Sequence, residues 1–246
     1  MTDQHGPGDW RPVSQPGYGV VIPSTPDEPF LAQAIESALG QSLPPQRLIV
    51  CVNGPTAQQS HSAQVASEYA PIVETMFLPQ KSESAALNRG IHAVDTEFVA
   101  FVDADDIWHP DKQHAQLDLL ATDASLDAAT GITENFRIRP DGTREILEAH
   151  ESALVAATTF RLSTFDRYGL FDESAAHFQW LYRWWAAARR GGINTASINT
   201  ACLFRRVHDI NSWSQNRDYG LSQLHAELRE NMRAKRVDDS RQGQHD

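Results

Sequence analysis

Cationic side chains are in short supply. The 246 residues carry 21 Lys and Arg against 32 Asp and Glu, a formal net charge of −11. So acidic a chain has no general attraction for nucleic acid or anionic lipid, and an anionic ligand must be met by a local arrangement that inverts the potential. Cysteine is nearly absent. Cys51 and Cys202 are the only two, and both lie in apolar stretches. That excludes a disulfide framework and suits buried thiols in a reducing compartment, the cytoplasm by default. Long apolar runs are missing too: none approaches the roughly 18 residues a membrane helix needs, so no transmembrane segment is expected. Residues 1–17 are polar and rich in Gly and Pro, lack the basic start and apolar middle of a secretory signal, and read as a flexible arm. There is no internal repeat. What remains is ordinary globular composition, 41% hydrophobic and 22% charged, enough for one sizeable core.

Within that composition, short apolar runs alternate with helical patterns. Tyr18 to Ile22 reads as a buried strand emptying into Pro23-Ser24-Thr25-Pro26. Phe30 to Leu39 sets Leu31, Ala34, Ile35 and Ala38 on one helical face, with Gly40 as the stop. Arg47 to Val52 is a second strand ended by Asn53-Gly54-Pro55, and Thr56 to Tyr69 has helical character. Ile72 to Leu78 predicts a third strand, and Ser84 to Val94 a helix sending Ala85, Leu87 and Ile91 inward. Phe98 to Val102 is apolar throughout, as in a strand covered on both faces, and runs into Asp103-Ala104-Asp105-Asp106. This alternation predicts an α/β fold, a doubly wound, mostly parallel sheet with flanking helices. In such sheets ligands collect at the carboxyl ends of the strands, where Ser24, Asn53 and Asp103 stand.

After Pro110 the pattern changes. A helix over Asp111 to Leu120 precedes a strand pair, Ala128 to Arg139 and Thr143 to Glu148, joined by Pro140-Asp141-Gly142. Ala156 to Arg161 and an aromatic helix near Phe178 to Arg190 follow. Residues 18–219 form one expected domain, with a nucleotide-binding half to residue 110 and an acceptor half beyond it. Residues 220–246 read as a C-terminal helix and polar tail. Trp180, Tyr182, Trp184 and Trp185 have spacings that cannot all meet one buried face, so some rings are expected at the surface. There they would stack on a sugar or hold an acceptor; the plainer alternative is core plus a protein contact.

Over roughly residues 18 to 215 the chain resembles family 2 glycosyltransferases of the GT-A fold. Val20-Val21-Ile22-Pro23-Ser24 is similar to the family's opening strand, Ala34 to Ser42 to its first helix, and Leu87-Asn88-Arg89-Gly90-Ile91 to the segment before its metal motif. The most specific block is Phe101-Val102-Asp103-Ala104-Asp105-Asp106-Ile107-Trp108-His109-Pro110-Asp111-Lys112; a lone Asp-x-Asp would be weak. Phe160-Arg161, Gly169-Leu170-Phe171-Asp172-Glu173 and the Arg-x-x-His spacing of Arg205 and His208 agree in order. The resemblance implies a nucleotide-diphosphate sugar donor, an acceptor that is a glycan, peptide or small molecule, and transfer with inversion. It implies donor contacts at Pro23, Ser24, Asn53, Asn88, Asp103 and Ala104. The chain departs from the family in two places. The acidic pair expected after the second strand reads Val52-Asn53, and the Glu-Asp pair that carries the catalytic base reads Ala176-His177.

The chemistry fits a divalent cation, Mn²⁺ or Mg²⁺, on oxygen ligands Asp103 and Asp105, against the alternative of an acidic turn solvating a strand end. His208 completes the coordination sphere or touches the diphosphate, or is a surface histidine. Lys81 is the basic candidate for the diphosphate. His177 stands at the family's base position with a suitable unperturbed pKa, although a histidine there could instead cap a helix or bind phosphate. Asp172 competes for the role, against a reading of Phe171-Asp172-Glu173 as a structural turn. The other outcome is a donor-binding protein whose catalysis is impaired. A nucleotidyltransferase is disfavoured, because no Gly- and Lys-rich phosphate loop follows the first strand.

Overall fold

The computed structural model describes residues 17–175 and 178–207. The N-terminal arm up to residue 16, the C-terminal helix and tail, His177 and His208 lie outside the described residues.

Strand β1 (Tyr18–Ser24) leads to helix α1 (Leu31–Leu39), β2 (Arg47–Asn53), α2 (His61–Glu68), β3 (Val73–Leu78), α3 (Glu83–Ala93) and β4 (Phe98–Phe101). Then come β5 (Ile107–Trp108), α4 (Lys112–Thr122), the long hairpin β6 (Ala128–Ile138) and β7 (Arg144–Ser152), β8 (Thr159–Arg161), α5 (Ser163–Tyr168), α6 (Gln179–Arg190) and β9 (Thr195–Arg206). One sheet joins the strands in the order β3-β2-β1-β4-β8-β6-β9-β5, with β7 on β6. The half formed by β3, β2, β1 and β4 is wholly parallel, so its carboxyl ends share one edge. Antiparallel pairings of β8, β5 and β7 extend it, and β6 pairs β9 in parallel.

Helices cover both faces, which is why the central strands read as unbroken apolar runs rather than alternating ones. On one side Val20, Ile22, Leu48, Val50 and Ala100 pack with α1, α2 and α4; on the other Val21, Ile49, Val99 and Phe101 pack with α3, α5 and α6. Close approach is enforced at Gly90 of α3, where a Cβ would stand 2.2 Å from Cγ1 of Val21. Pro23 is tolerated in a central strand for a local reason. Odd residues of β1 face β4, and that pairing ends at Val21–Phe101, so no ladder bond is lost at Pro23. The Pro140-Asp141-Gly142 turn closes β6 and β7 as read, with Gly142 at φ 83°.

Three elements were not legible. β5 has two residues and exists through its pairing with Leu203 and Phe204 of β9. α5 has six residues, and β9 is rich in exposed polar side chains over its first half. The aromatic helix follows the plainer of its two readings: Trp180, Trp184 and Trp185 are all buried, and Tyr182 is partly exposed. Positions 180, 181, 184, 185 and 188 share a face about 140° wide, at 100° per residue, and Phe160, Phe165 and Phe171 fill it. The three tryptophan rings are core, not a sugar platform.

Candidate active site

Acidic side chains converge where the parallel strands end. β4 stops at Phe101, the N–H of Val102 still donates to the Val21 carbonyl at 3.3 Å, and a turn follows in which Asp106 N–H donates to the Asp103 carbonyl at 3.0 Å. Asp103 therefore stands beside the end of β1. Ala104 is buried between the acids. Burial pushes the Asp103 carboxyl up to about 7; Asp105 adds to this and Arg205 opposes it. Glu83, the first residue of α3, is pushed up to about 8, by burial first and then by Asp103 and Asp105. A carboxylate at a helix N-terminus is ordinarily favoured as the anion, so here desolvation and like charge outweigh the dipole. Asp106 is raised well above the usual carboxylate range by burial, then by Asp105 and Asp103, although it accepts the Arg206 backbone N–H at 2.8 Å.

Positive charge comes from the end of β9. Arg205 acts on Asp103 and Asp106, and it also lowers Tyr182, whose phenol burial raises. Glu83 was not among the residues the sequence singled out for the site, Arg205 entered only through the Arg-x-x-His spacing, and Tyr182 only as one ring of the aromatic helix. Glu83 reads as an ordinary first-turn acid after the cap Ser82, and only the fold brings it to Asp103.

The turn is held from behind by the block that follows it. Trp108 is buried, its indole N–H donates to the Ala156 carbonyl at 2.9 Å, and its backbone N–H donates to Ser37 Oγ at 3.1 Å. Gln41 at the end of α1 donates to the His109 carbonyl at 2.9 Å and accepts the Gln113 N–H at 3.0 Å. Lys112 is buried over the Trp108 ring at 4.2 Å and donates to Gln116 at 2.9 Å. Desolvation lowers its pKa to about 7. Through Trp108, the His109 carbonyl and Lys112 the segment therefore latches the turn in place.

The remaining sequence candidates divide clearly. Ser24 closes β1, its hydroxyl turned to the Thr25 carbonyl at 3.0 Å. Asn53 is buried and bridges the strand ends: its amide nitrogen donates to the Ser24 carbonyl at 3.0 Å and its oxygen accepts the Ser82 N–H at 3.1 Å. Asn88 donates to the Phe171 carbonyl and to Glu173, both at 2.9 Å, and accepts the Phe171 N–H at 3.0 Å. It fixes the Phe171–Glu173 loop against α3. Lys81 is exposed on the loop before α3. Asp172 accepts from the Ser174 N–H at 3.0 Å and from Arg183 at 2.8 Å. Those bonds, Ser174 first, hold its pKa below the usual carboxylate range and weaken it as a base.

Crowded carboxylates at one strand end are the hard oxygen donors that Mg²⁺ or Mn²⁺ selects, and a divalent charge would relieve their mutual repulsion. Among the described residues no hydrogen bond or ion pair engages the Asp103 carboxylate, and none of their His, Cys, Asp and Glu side chains form a group of three or more able to cage a metal. Asp103 and Asp105 fit a cation that takes its other ligands from phosphates and water.

The profile described as Glycosyl transferase family 2 matches residues 19–166. The chain belongs to that family. The chain is 30% identical over 94 residues to an uncharacterised glycosyltransferase of a Nostoc strain, covering 38% of this chain and 29% of that protein. It is 26% identical over 181 residues to the uncharacterised glycosyltransferase EpsJ of Bacillus subtilis, covering 64% of this chain and 52% of EpsJ. The chain thus spans about half or less of these relatives. In fold it is similar to the crystal structure of S. aureus TarS 1–349 in complex with UDP-GlcNAc, with a TM-score of 0.64, 15% identity, and 80% of this chain and 60% of that one covered. The fold is GT-A, an α/β fold with a mostly parallel sheet and flanking helices. Among the described residues no helix is long and apolar enough to cross a membrane.

Proposed function

We propose that this family 2 chain transfers a sugar, with inversion, from a nucleotide-diphosphate sugar bound over the carboxyl ends of β1, β2 and β4. The observation that carries the reading is the meeting of Asp103, Asp105 and Glu83 at the end of β4, with Arg205 as the nearby cation. Asp103 and Asp105 would hold a divalent cation against the diphosphate, with His208 as a further candidate ligand. When bound, such a cation stabilises the charge developing on the leaving phosphate oxygen as a Lewis acid. Arg205 lowers the barrier that a chain of net charge −11 raises against an anionic donor. Pro23, Ser24 and Asn53, at the ends of β1 and β2, would lie under the nucleoside. Glu83 adds a carboxylate there, a hydrogen-bond acceptor for ribose hydroxyls or nucleobase N–H groups.

In the transfer itself the acceptor oxygen bonds to the anomeric carbon as the carbon–phosphate oxygen bond breaks, and the acceptor proton passes to a base within about 3 Å. His177 remains the proposed base, because Asp172 is committed to Ser174 and Arg183. That same commitment favours one other reading, a donor-binding protein without turnover. The two separate on incubation with a panel of nucleotide sugars, UDP-GlcNAc first because the TarS neighbour is a complex with it. Slow release of nucleoside diphosphate that stops on His177→Ala supports the enzyme. Donor binding with no release from any sugar supports the binding protein.

A further inference from the structure

Arg206 ends β9 and is only 4% exposed, a burial arginine rarely reaches without specific partners. Its guanidinium lies against two rings, 4.0 Å from the centroid of Phe30, just before α1, and 4.8 Å from that of Phe136 on β6. Nε donates to the backbone carbonyl of Asp105 at 3.0 Å, and Nη2 donates to Oε1 of Gln33 on α1 at 2.6 Å. The backbone N–H of the same residue donates to the Asp106 carboxylate at 2.8 Å. One residue therefore grips two consecutive residues of the acidic turn and ties them to β9, to β6 and to α1.

Filling this space does not require an arginine. A buried ionic group can often be replaced by an apolar side chain of similar volume without loss of stability. What only arginine supplies is a flat group that stacks on rings while donating in plane in two directions. Both directions are used here, and one ends on the peptide that carries Asp105.

We infer that Arg206 is a positioning residue for donor binding, holding the Asp103–Asp106 turn in the one arrangement in which the Asp103 and Asp105 carboxylates face a cation together. The inference rests on the cation site proposed above. A carboxylate pair that must be ordered by the ligand binds it more weakly than one already fixed, because the ordering cost is subtracted from the affinity. Arg206 does not touch the donor; it acts through the backbone of Asp105.

The test is calorimetric titration of uridine, guanosine and thymidine diphosphates into the full chain, with Mn²⁺ varied, for the wild type, Arg206→Lys, Arg206→Met and Gln33→Leu. In Arg206→Lys the Mn²⁺ concentration giving half-maximal nucleotide binding should rise about tenfold, equivalent to ~1.4 kcal/mol. Arg206→Met should shift it further and Gln33→Leu less, while weak binding without cation stays unchanged. For the turnover assay, donor KM should rise more than kcat falls. A purely structural arginine would lower the melting temperature and leave the Mn²⁺ dependence within twofold of wild type, and that result overturns the inference. If Arg206→Met fails to fold, Arg206→Lys and Gln33→Leu decide the matter by the same criterion. A wild type whose nucleotide binding ignores Mn²⁺ would instead remove the cation site itself, and the positioning role with it.

Discussion

Asp105 and Asp172 are both acids on turns, and the proposed function gives them opposite tasks. Asp105 lies at the strand end where its charge raises Asp103, Glu83 and Asp106, whereas Asp172 lies on a surface turn paired with Arg183 and bound by Ser174. Asp105→Asn keeps the shape and removes one charge. Steady-state assays should find turnover down by a hundredfold or more, ~2.7 kcal/mol of transition-state stabilisation. Asp172→Asn should change turnover by less than about threefold and stability by at most ~1 kcal/mol, since its pair with Arg183 is half exposed. A loss of several orders of magnitude there would make Asp172 the base after all. At this scale the sequence was partly legible. An apolar strand running into Asp103-Ala104-Asp105 marks the end of a strand covered on both faces, and both a cation site and a solvated acidic turn account for that change of polarity. Glu83 was not legible, since a first-turn acid has an ordinary explanation in the helix dipole. Asn53 and Asn88 were read as donor contacts, and the sequence does not reveal that their amides bond to the Ser24 carbonyl and the Phe171 backbone.

Among the elements, the parallel half was legible because each strand is a compact apolar run closed by turn residues, as with Val20 to Pro23 and Leu48 to Asn53. The rest of the sheet depends on partners distant in sequence. β5 exists only because Leu203 and Phe204 lie beside it, and β9 lacks the apolar pattern of a strand over Thr195 to Thr200. The latch behind the acidic turn gives a prediction at this scale. Trp108→Phe keeps the ring but orphans the buried Ala156 carbonyl and weakens the contact with Lys112. Denaturant melts should show a loss of ~1–3 kcal/mol. Trp108→Ala should cost ~3–5 kcal/mol by leaving a cavity. If Trp108→Phe is as stable as the wild type, the indole bond is not part of what holds the turn. Edge protection is also visible in β7, whose bulge near Asn135–Phe136 and acids Glu145, Glu148 and Glu151 discourage further strand pairing.

For the whole molecule, gathering negative charge at the mouth of the sheet has a cost that depends on pH. Asp103 and Glu83 bind protons more tightly in the folded chain than unfolded, with values near 7 and 8 against ordinary values of 3.8 and 4.5. Their contribution to stability is therefore greatest below about pH 4 and declines as pH rises to about 8. Melting curves without divalent cation should fall in midpoint between pH 5 and pH 8, and the double change Glu83→Gln, Asp103→Asn should flatten that slope. Mn²⁺ with nucleoside diphosphate should stabilise the wild type more at pH 8 than at pH 6, because the cation binds the deprotonated pair. The same charge concentration underlies the proposed function, and crystals grown with Mn²⁺ and uridine diphosphate would test it most directly through the anomalous signal of manganese. The account predicts one strong peak within about 2.2 Å of carboxylate oxygens of Asp103 or Asp105 and equally close to a diphosphate oxygen. A nucleotide bound over the strand ends with no manganese between it and these two aspartates would contradict it.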